Sequence, residues 1–347
     1  MASTRSKSPR PATRPLRQES RHNPPSAIAI AALILSIFAI VIALYAVYSS
    51  IAYEQLNMQK LAASTNTSVS APHPTLAGID TPLNNTELST INNASDSYFE
   101  IAGQMYLNGS IANQVLPNYV TLPNGSFVAN GKQSVIYLGS ITCVFCGENR
   151  WAMALALSRF GNFSKLYKGY SAIHDSDVPT LYWNASNYNI SAGMDTGSFY
   201  SSKYVNFIPF EDEAPITGGF SIQPLQTMQG FVNQTGNSTK ISAFNFILGL
   251  QNNANTLFQG TPYTIWGNAM FAGADAVDFG NSTPTGATLA LSSMTHADVL
   301  NQLRTPNDQF AWTEYAAADM YIAGLCKSLN NTAPVCSLPA IVMLEKK

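Results

Sequence analysis

Cys143 and Cys146 stand two residues apart in SITCVFCGENRW, residues 140–151. That spacing serves three chemistries. Two such thiols can work as a redox couple, supply half of a metal site, or close a small structural loop. As a staple the pair is poor, because linking near neighbours removes little chain entropy. As a redox couple it is well set. The apolar run SVIYLG precedes it and a helical pattern follows, so Cys143 falls at a helix N-terminus. There the unsatisfied N–H groups and the helix dipole favour a thiolate. Cys143 is the expected attacking thiol and Cys146, one turn further in, the expected buried resolving thiol.

Two more cysteines, Cys326 and Cys336, complete the set of four. Four cysteines allow three connectivities, and proximity along the chain favours 143–146 and 326–336. A Cys326–Cys336 structural disulfide closes a loop of about 11 residues and contributes about 3 kcal/mol in the chain-entropy model. A zinc site wants a second close pair of ligands, which Cys326-x9-Cys336 does not offer. The histidines His22, His73, His174 and His296 are scattered. No metal and no cofactor is therefore expected.

A second signature lies in GTPYTIWGNAMFAGA, residues 260–274: a proline opening a strand, a Gly267-Asn268 turn and a returning strand. In a thioredoxin-type fold a cis-proline starts the strand that lies against the cysteine pair, and a hairpin follows. Thr261-Pro262 fits that slot and is the expected substrate-binding element, the Thr261 backbone pairing with an extended segment of the substrate. The plainer alternative is a trans proline at a strand start, where the missing N–H is harmless.

These residues need elements to hold them. The pattern predicts a buried strand over 133–139 and a largely buried helix over 146–160, ended by Gly161. Strands are expected at 169–173, 180–183, 262–266 and 269–273, and YVNFIPF, residues 204–210, suggests another. Helices are expected over 241–257, 295–304 with Thr295 as N-cap, and 310–329. Strands mixed with helices give an α/β or α+β domain. It is expected to start near Ser97, where Ser97 and Glu100 have capping-box spacing.

Upstream, the composition changes character. Six of the 18 basic residues fall within the first 21, so everything beyond carries a formal charge of −7, which excludes a nucleic-acid surface. Residues 27–48, AIAIAALILSIFAIVIALYAVY, carry no charge and would span about 33 Å as a helix, the thickness of a bilayer core. No signal-cleavage site is evident, so the run reads as an uncleaved anchor in membrane lipid, with the basic tail cytoplasmic. Expected domains are a basic tail (1–25), a transmembrane anchor (26–49), a Ser/Thr/Asn/Pro-rich extracytoplasmic stalk (50–96) and a folded domain (97–347). Twelve Asn-x-Ser/Thr sequons follow the anchor, at Asn66, Asn84, Asn93, Asn108, Asn124, Asn162, Asn184, Asn189, Asn233, Asn237, Asn281 and Asn330. Their density points to a glycosylated outer surface.

Through Cys143-x-x-Cys146-x-x-x-Arg150-Trp151-Ala152, running into Ala156-Leu157-Ser158-Arg159-Phe160-Gly161, the chain resembles an archaeal domain-of-unknown-function family of membrane-anchored, thioredoxin-like proteins. The likeness continues weakly through 201–207, resumes at Pro262–Gly273 and ends in 316–336. It implies a thioredoxin-like fold with an inserted region, about 185–245, but no established activity. Where the family commonly has Pro-Tyr between the cysteines, this chain has Val144-Phe145. The strand SVIYLG also lacks the buried acid of ordinary thioredoxins. Glu148 is read as a first-turn carboxylate suited to the helix dipole, with proton transfer as the alternative. Arg150 and Trp151 are read as packing and helix-surface residues.

The expected function is a membrane-anchored, extracytoplasmic thiol–disulfide oxidoreductase. Its partners would be protein thiols or disulfides and a membrane redox partner. The alternative is a cell-surface glycoprotein that binds proteins on the same scaffold without catalysis, a reading that deep burial of both sulfurs would favour.

Overall fold

The computed structural model describes residues 81–111, 119–122, 125–140, 143–171, 178–183, 198–211, 213–216, 219–222, 225–253, 263–272, 291 and 294–346. All of them fall within the unit Pro74–Lys347. The expected tail, the anchor at 27–48 and the stalk as far as residue 80 lie outside the described residues. Among the described residues no helix is long and apolar enough to cross a membrane.

In chain order, α1 (Asn85–Asn92) and α2 (Asp96–Leu107) lead to β1 (Tyr119–Thr121), the short β2 (Val128–Ala129), β3 (Lys132–Gly139) and α3 (Val144–Ser158). Short strands β4 (Gly161–Phe163), β5 (Tyr167–Ser171), β6 (Val178–Tyr182) and β7 (Tyr200–Ser202) precede β8 (Val205–Glu211). Then come the hairpin of β9 (Glu213–Ile216) and β10 (Gly219–Ile222), and helices α4 (Leu225–Gln234) and α5 (Ser238–Asn253). The strands β11 (Tyr263–Trp266) and β12 (Ala269–Ala272) follow. Helices α6 (His296–Arg304) and α7 (Gln309–Ser328), a 3-10 turn at Pro334–Ser337 and α8 (Pro339–Leu344) finish the chain.

The fold is α/β. Its main sheet runs β1-β12-β11-β3, with β8 and the short β2 also paired to β3. Strand β8 runs parallel to β3 in the register Gln133↔Val205 to Gly139↔Glu211, whereas β11 is antiparallel, with Tyr263↔Leu138. Alternation along the strands sorts two cores. Val135, Tyr137, Val205, Phe207, Trp266 and Phe271 face α3 and α7 in the larger cluster. Ile136, Leu138, Ile208, Phe210, Ile265 and Met270 face α4 and α5 on the other side. The result is a three-layer arrangement, helices over each face of the sheet.

Burial explains the composition of α3 and α7. From Trp151 to Leu157 every residue of α3 is fully buried, and α7 is buried at nearly every position from Phe310 to Cys326. Helices apolar on all sides sit inside a protein. Here the cover comes from α1, α2, α8 and the β5–β6 hairpin, whose side chains share the larger core. His296 ties that hairpin down. Its Nε2 lies 2.8 Å from the Gly169 carbonyl oxygen and 2.9 Å from that of Thr180.

Several boundaries differ from expectation. The folded region begins before Ser97: α1 occupies the expected stalk, with Leu83 and Ile91 in the core. The N-cap of α2 is Ser95, whose Oγ accepts from the Ser97 amide at 3.3 Å. Glu100 does not box that cap; its Oε2 accepts from the Ala340 amide at 2.9 Å, joining α2 to α8. Helix α3 stops at Ser158, and Gly161 opens β4 instead of capping the helix. The stretch 185–245, expected as an insertion, contains β8, a strand of the main sheet. Thr295 caps α6 as expected, and Asp298 completes a reciprocal capping box with it.

Candidate functional site

Strand β3 ends at Gly139, and α3 begins at Val144. Cys143 is the N-cap of α3, its Sγ accepting from the Cys146 amide at 3.3 Å. A sulfur therefore takes the capping role usually filled by a side-chain oxygen, at the positive end of the helix. Cys143 is half-buried and Cys146 fully buried, and both carry thiols. The Ser140 amide donates to the Cys146 Sγ at 3.3 Å. Burial pushes the Cys146 thiol well above its ordinary range, and the Cys143 sulfur adds to this, while Arg150 and the Ser140 amide pull the other way. Of the two residues between the cysteines, Phe145 is half-buried, and the Val144 side chain lies outside the described residues.

Beneath the cysteines sits an ion pair. Arg150 projects from α3, one turn beyond Cys146, and its Nη2 reaches the Glu211 carboxylate oxygens at 2.9 and 3.0 Å. Both side chains are wholly buried. The same nitrogen donates to the Ser140 carbonyl at 3.0 Å. The guanidinium carbon lies 5.6 Å from the Tyr137 ring centroid and 5.9 Å from that of Tyr182. Burial works against the charge on Arg150, but Glu211, with Tyr137, Cys146 and Tyr182 adding to it, outweighs burial and holds the guanidinium protonated. Glu211 faces α3 because Val205, Phe207 and Glu211 share one face of β8 by the two-residue period. Tyr137 shares the corresponding face of β3, where a Cβ at Gly139 would run into its hydroxyl. Burial also raises the Tyr137 phenol well above its usual range.

Three expectations change here. Arg150 is not a helix-surface residue: it is sealed in the core and bound to an acid. Glu148 lies beyond the first turn of α3 and is 1% exposed, so it does not serve the helix dipole from a solvated position. A buried acid is present after all, on β8 rather than on SVIYLG. Trp151 does pack, with its Nε1 donating to the Pro179 carbonyl at 3.0 Å.

Glu211 was one residue past the strand suggested by YVNFIPF. An acid ending an apolar strand is the signal that marks it. Pro209 marks β8 in another way, since proline is tolerated on an edge strand, and β8 pairs only with β3 among the described residues.

The Cys326–Cys336 disulfide is formed, with Cα atoms 5.6 Å apart and both residues buried. It joins the last turn of α7 to the 3-10 turn. Thr261 and Pro262, and the sequons at Asn66, Asn124, Asn184, Asn189 and Asn281, lie outside the described residues. The other seven sequon asparagines, at 84, 93, 108, 162, 233, 237 and 330, are all exposed. Among the described residues no three His, Cys, Asp or Glu side chains gather as a metal site.

Fold and site together define an α/β protein with a thiol pair at the end of a central strand and a sealed ion pair behind it. Residues 118–220 match the family model described as "Domain of unknown function (DUF929)". The matched stretch contains Cys143, Cys146, Arg150 and Glu211. No curated protein and no solved structure matches the chain.

Proposed function

We propose that the protein is a membrane-anchored, extracytoplasmic thiol–disulfide oxidoreductase with a thioredoxin-like core. The observation that carries this is the division of the pair: Cys143 half-buried as the N-cap of α3, Cys146 buried one turn inside. Deep burial of both cysteines would favour the non-catalytic scaffold reading, and Cys143 is only half-buried. With the intervening β4–β7, β9, β10, α4 and α6 set aside, the succession β3-α3-β8-α5-β11-β12-α7 and the strand order β8-β3-β11-β12 resemble a thioredoxin core, which supports the fold assignment.

In the oxidising direction a substrate thiolate attacks Cys143 of the Cys143–Cys146 disulfide. Cys146 leaves as a thiolate, and a second substrate thiolate releases Cys143. In the reducing direction Cys143 thiolate attacks a substrate disulfide, and Cys146 displaces the substrate from the mixed disulfide. Thr261 and Pro262 are the proposed docking element for the extended substrate segment. Membrane lipid would hold residues 27–48, with the described domain outside and a membrane protein as electron partner. The seven exposed sequon asparagines support a glycosylated outer surface.

The test is Cys146→Ala in cells of the source organism, run on non-reducing gels. Covalent partners held through Cys143 are expected, and they should vanish in Cys143→Ala/Cys146→Ala. A folded Cys146→Ala protein with no trapped partner overturns the proposal. The reduction potential of the wild-type couple then gives the direction of electron flow.

A further inference from the structure

We infer, on the oxidoreductase reading of the thiol pair, that Arg150, held in place by Glu211, is the positioning residue that governs when Cys146 becomes a nucleophile. One residue makes the connection, through the two peptide groups that flank its Cα. The Ser140 N–H donates to the Cys146 Sγ at 3.3 Å, and the Ser140 carbonyl accepts from Arg150 Nη2 at 3.0 Å. That nitrogen also binds both Glu211 oxygens, at 2.9 and 3.0 Å. Cys146, Arg150 and Glu211 are all enclosed, at 0% exposure.

Placing these charges here is costly. Enclosed ions lose their hydration, and well-packed apolar residues often serve stability as well or better. The next seven residues of α3, Trp151 to Leu157, are apolar and fully buried, as packing alone would ask. A fixed positive charge linked through Ser140 to an enclosed thiol does something that packing does not. In a low-dielectric setting it favours the thiolate, against the larger opposing effect of burial. Glu211 fixes the guanidinium and tempers its field. Among the described residues, the titratable and charged groups that act on this centre come from β3 (Tyr137), the cap (Cys143), α3 (Arg150), β6 (Tyr182) and β8 (Glu211).

The step it serves is resolution of a mixed disulfide. Cys146 loses its proton to solvent and attacks the Cys143 sulfur. The Cys143–substrate S–S bond breaks, and its electron pair leaves on the substrate sulfur, which takes up a proton. Cys143 and Cys146 end as a disulfide and the substrate as a thiol, so protons and electrons balance.

The sign of two substitutions tests this. In reduced full-length protein carrying 13Cβ-cysteine, the Cys146 titration is followed by NMR. Arg150→Met should move it up by about one pH unit or more, and Glu211→Gln should move it down. Both variants lose the same ion pair and should lose stability alike, so a purely structural role predicts no opposition of sign. Arg150→Lys, which keeps the charge, should stay close to wild type and covers the case in which Arg150→Met fails to fold. The second readout loads Cys143 with 5-thio-2-nitrobenzoate and follows its release by Cys146 against pH. At pH 7 release should slow about tenfold in Arg150→Met and quicken in Glu211→Gln, following the thiolate fraction. Titrations that do not move, or that move the same way in Arg150→Met and Glu211→Gln, overturn the inference. If wild-type Cys143 cannot be loaded at all, the oxidoreductase reading fails, and the NMR titration still decides the part played by Arg150.

Discussion

Glu314 and Asp319 are acids sealed in the middle of α7, both at 0% exposure. Burial raises each well above the ordinary carboxylate range. Because the folded values lie above the unfolded ones, the folded state holds these protons more tightly. Their contribution to stability is full below the unfolded values, near pH 4, and is lost as pH rises toward the folded ones. Unfolding free energy should therefore fall with rising pH by up to about 1.4 kcal/mol per unit for each carboxyl. Glu314→Gln and Asp319→Asn should each flatten the curve in denaturant titrations at a series of pH values. His296 works in the opposite sense: burial lowers its value, so its contribution is present above about pH 6.5 and declines below. Residues of this kind separate what the chain announces from what the fold decides. The cysteine pair was legible because its spacing carries chemistry by itself. Arg150 was not, because a lone charge in a helical pattern belongs by default on the wet face. Only the parallel register that brings Glu211 beside Gly139 gives it a buried partner.

Among the elements, close approach sets the strictest demands. A Cβ on Gly103 of α2 would stand 2.7 Å from the Ala340 Cβ of α8 and 3.0 Å from an Asp319 oxygen on α7. Gly103→Ala should therefore destabilise the domain by about 1–3 kcal/mol, despite alanine's better helix propensity. A thermal melt of the two proteins checks it, and an unchanged or raised midpoint would count against this packing. Strong patterns were legible at this scale: β3, the β11–β12 hairpin with its Gly267-Asn268 turn, α6 and α7 all fall close to where their periodicity puts them. Weak patterns were not. Helix α1, NTELSTIN, is mostly polar, and only Thr90 and Ile91 are buried, so nothing local marks it as part of the domain. Strand β8 lies within a Gly-, Ser- and Asn-rich region and carries a proline. Glu100 was assigned to a cap by local spacing, but α8, far along the chain, claims its carboxylate.

For the whole molecule, the proposed topology makes a simple expectation. Full-length protein should remain with the membrane through alkaline carbonate extraction, and removal of residues 1–48 should release it. Mass spectrometry should find glycans among Asn84, Asn93, Asn108, Asn162, Asn233, Asn237 and Asn330. A full-length chain recovered free in the soluble fraction, or a surface bare of glycans, would argue against that placement. Composition makes the proposed anchor and the sequons visible. The two cores and the layer order were not visible, because they depend on which strands pair across long stretches of chain.

The second pair of sulfurs has a consequence for how such a protein can be handled, by a cell or at the bench. Thiol exchange needs a thiolate to approach along the axis of the bond it breaks. Cys326 and Cys336 are enclosed by the packing of α7, the 3-10 turn and α8. Whatever cycling Cys143 and Cys146 undergo, the inner bond is kinetically insulated from it. On the proposed redox reading, a gentle reductant applied to the oxidised native protein therefore acts as a selective reagent: Cys143 and Cys146 respond, and the other two sulfurs keep their bond until that corner of the fold opens.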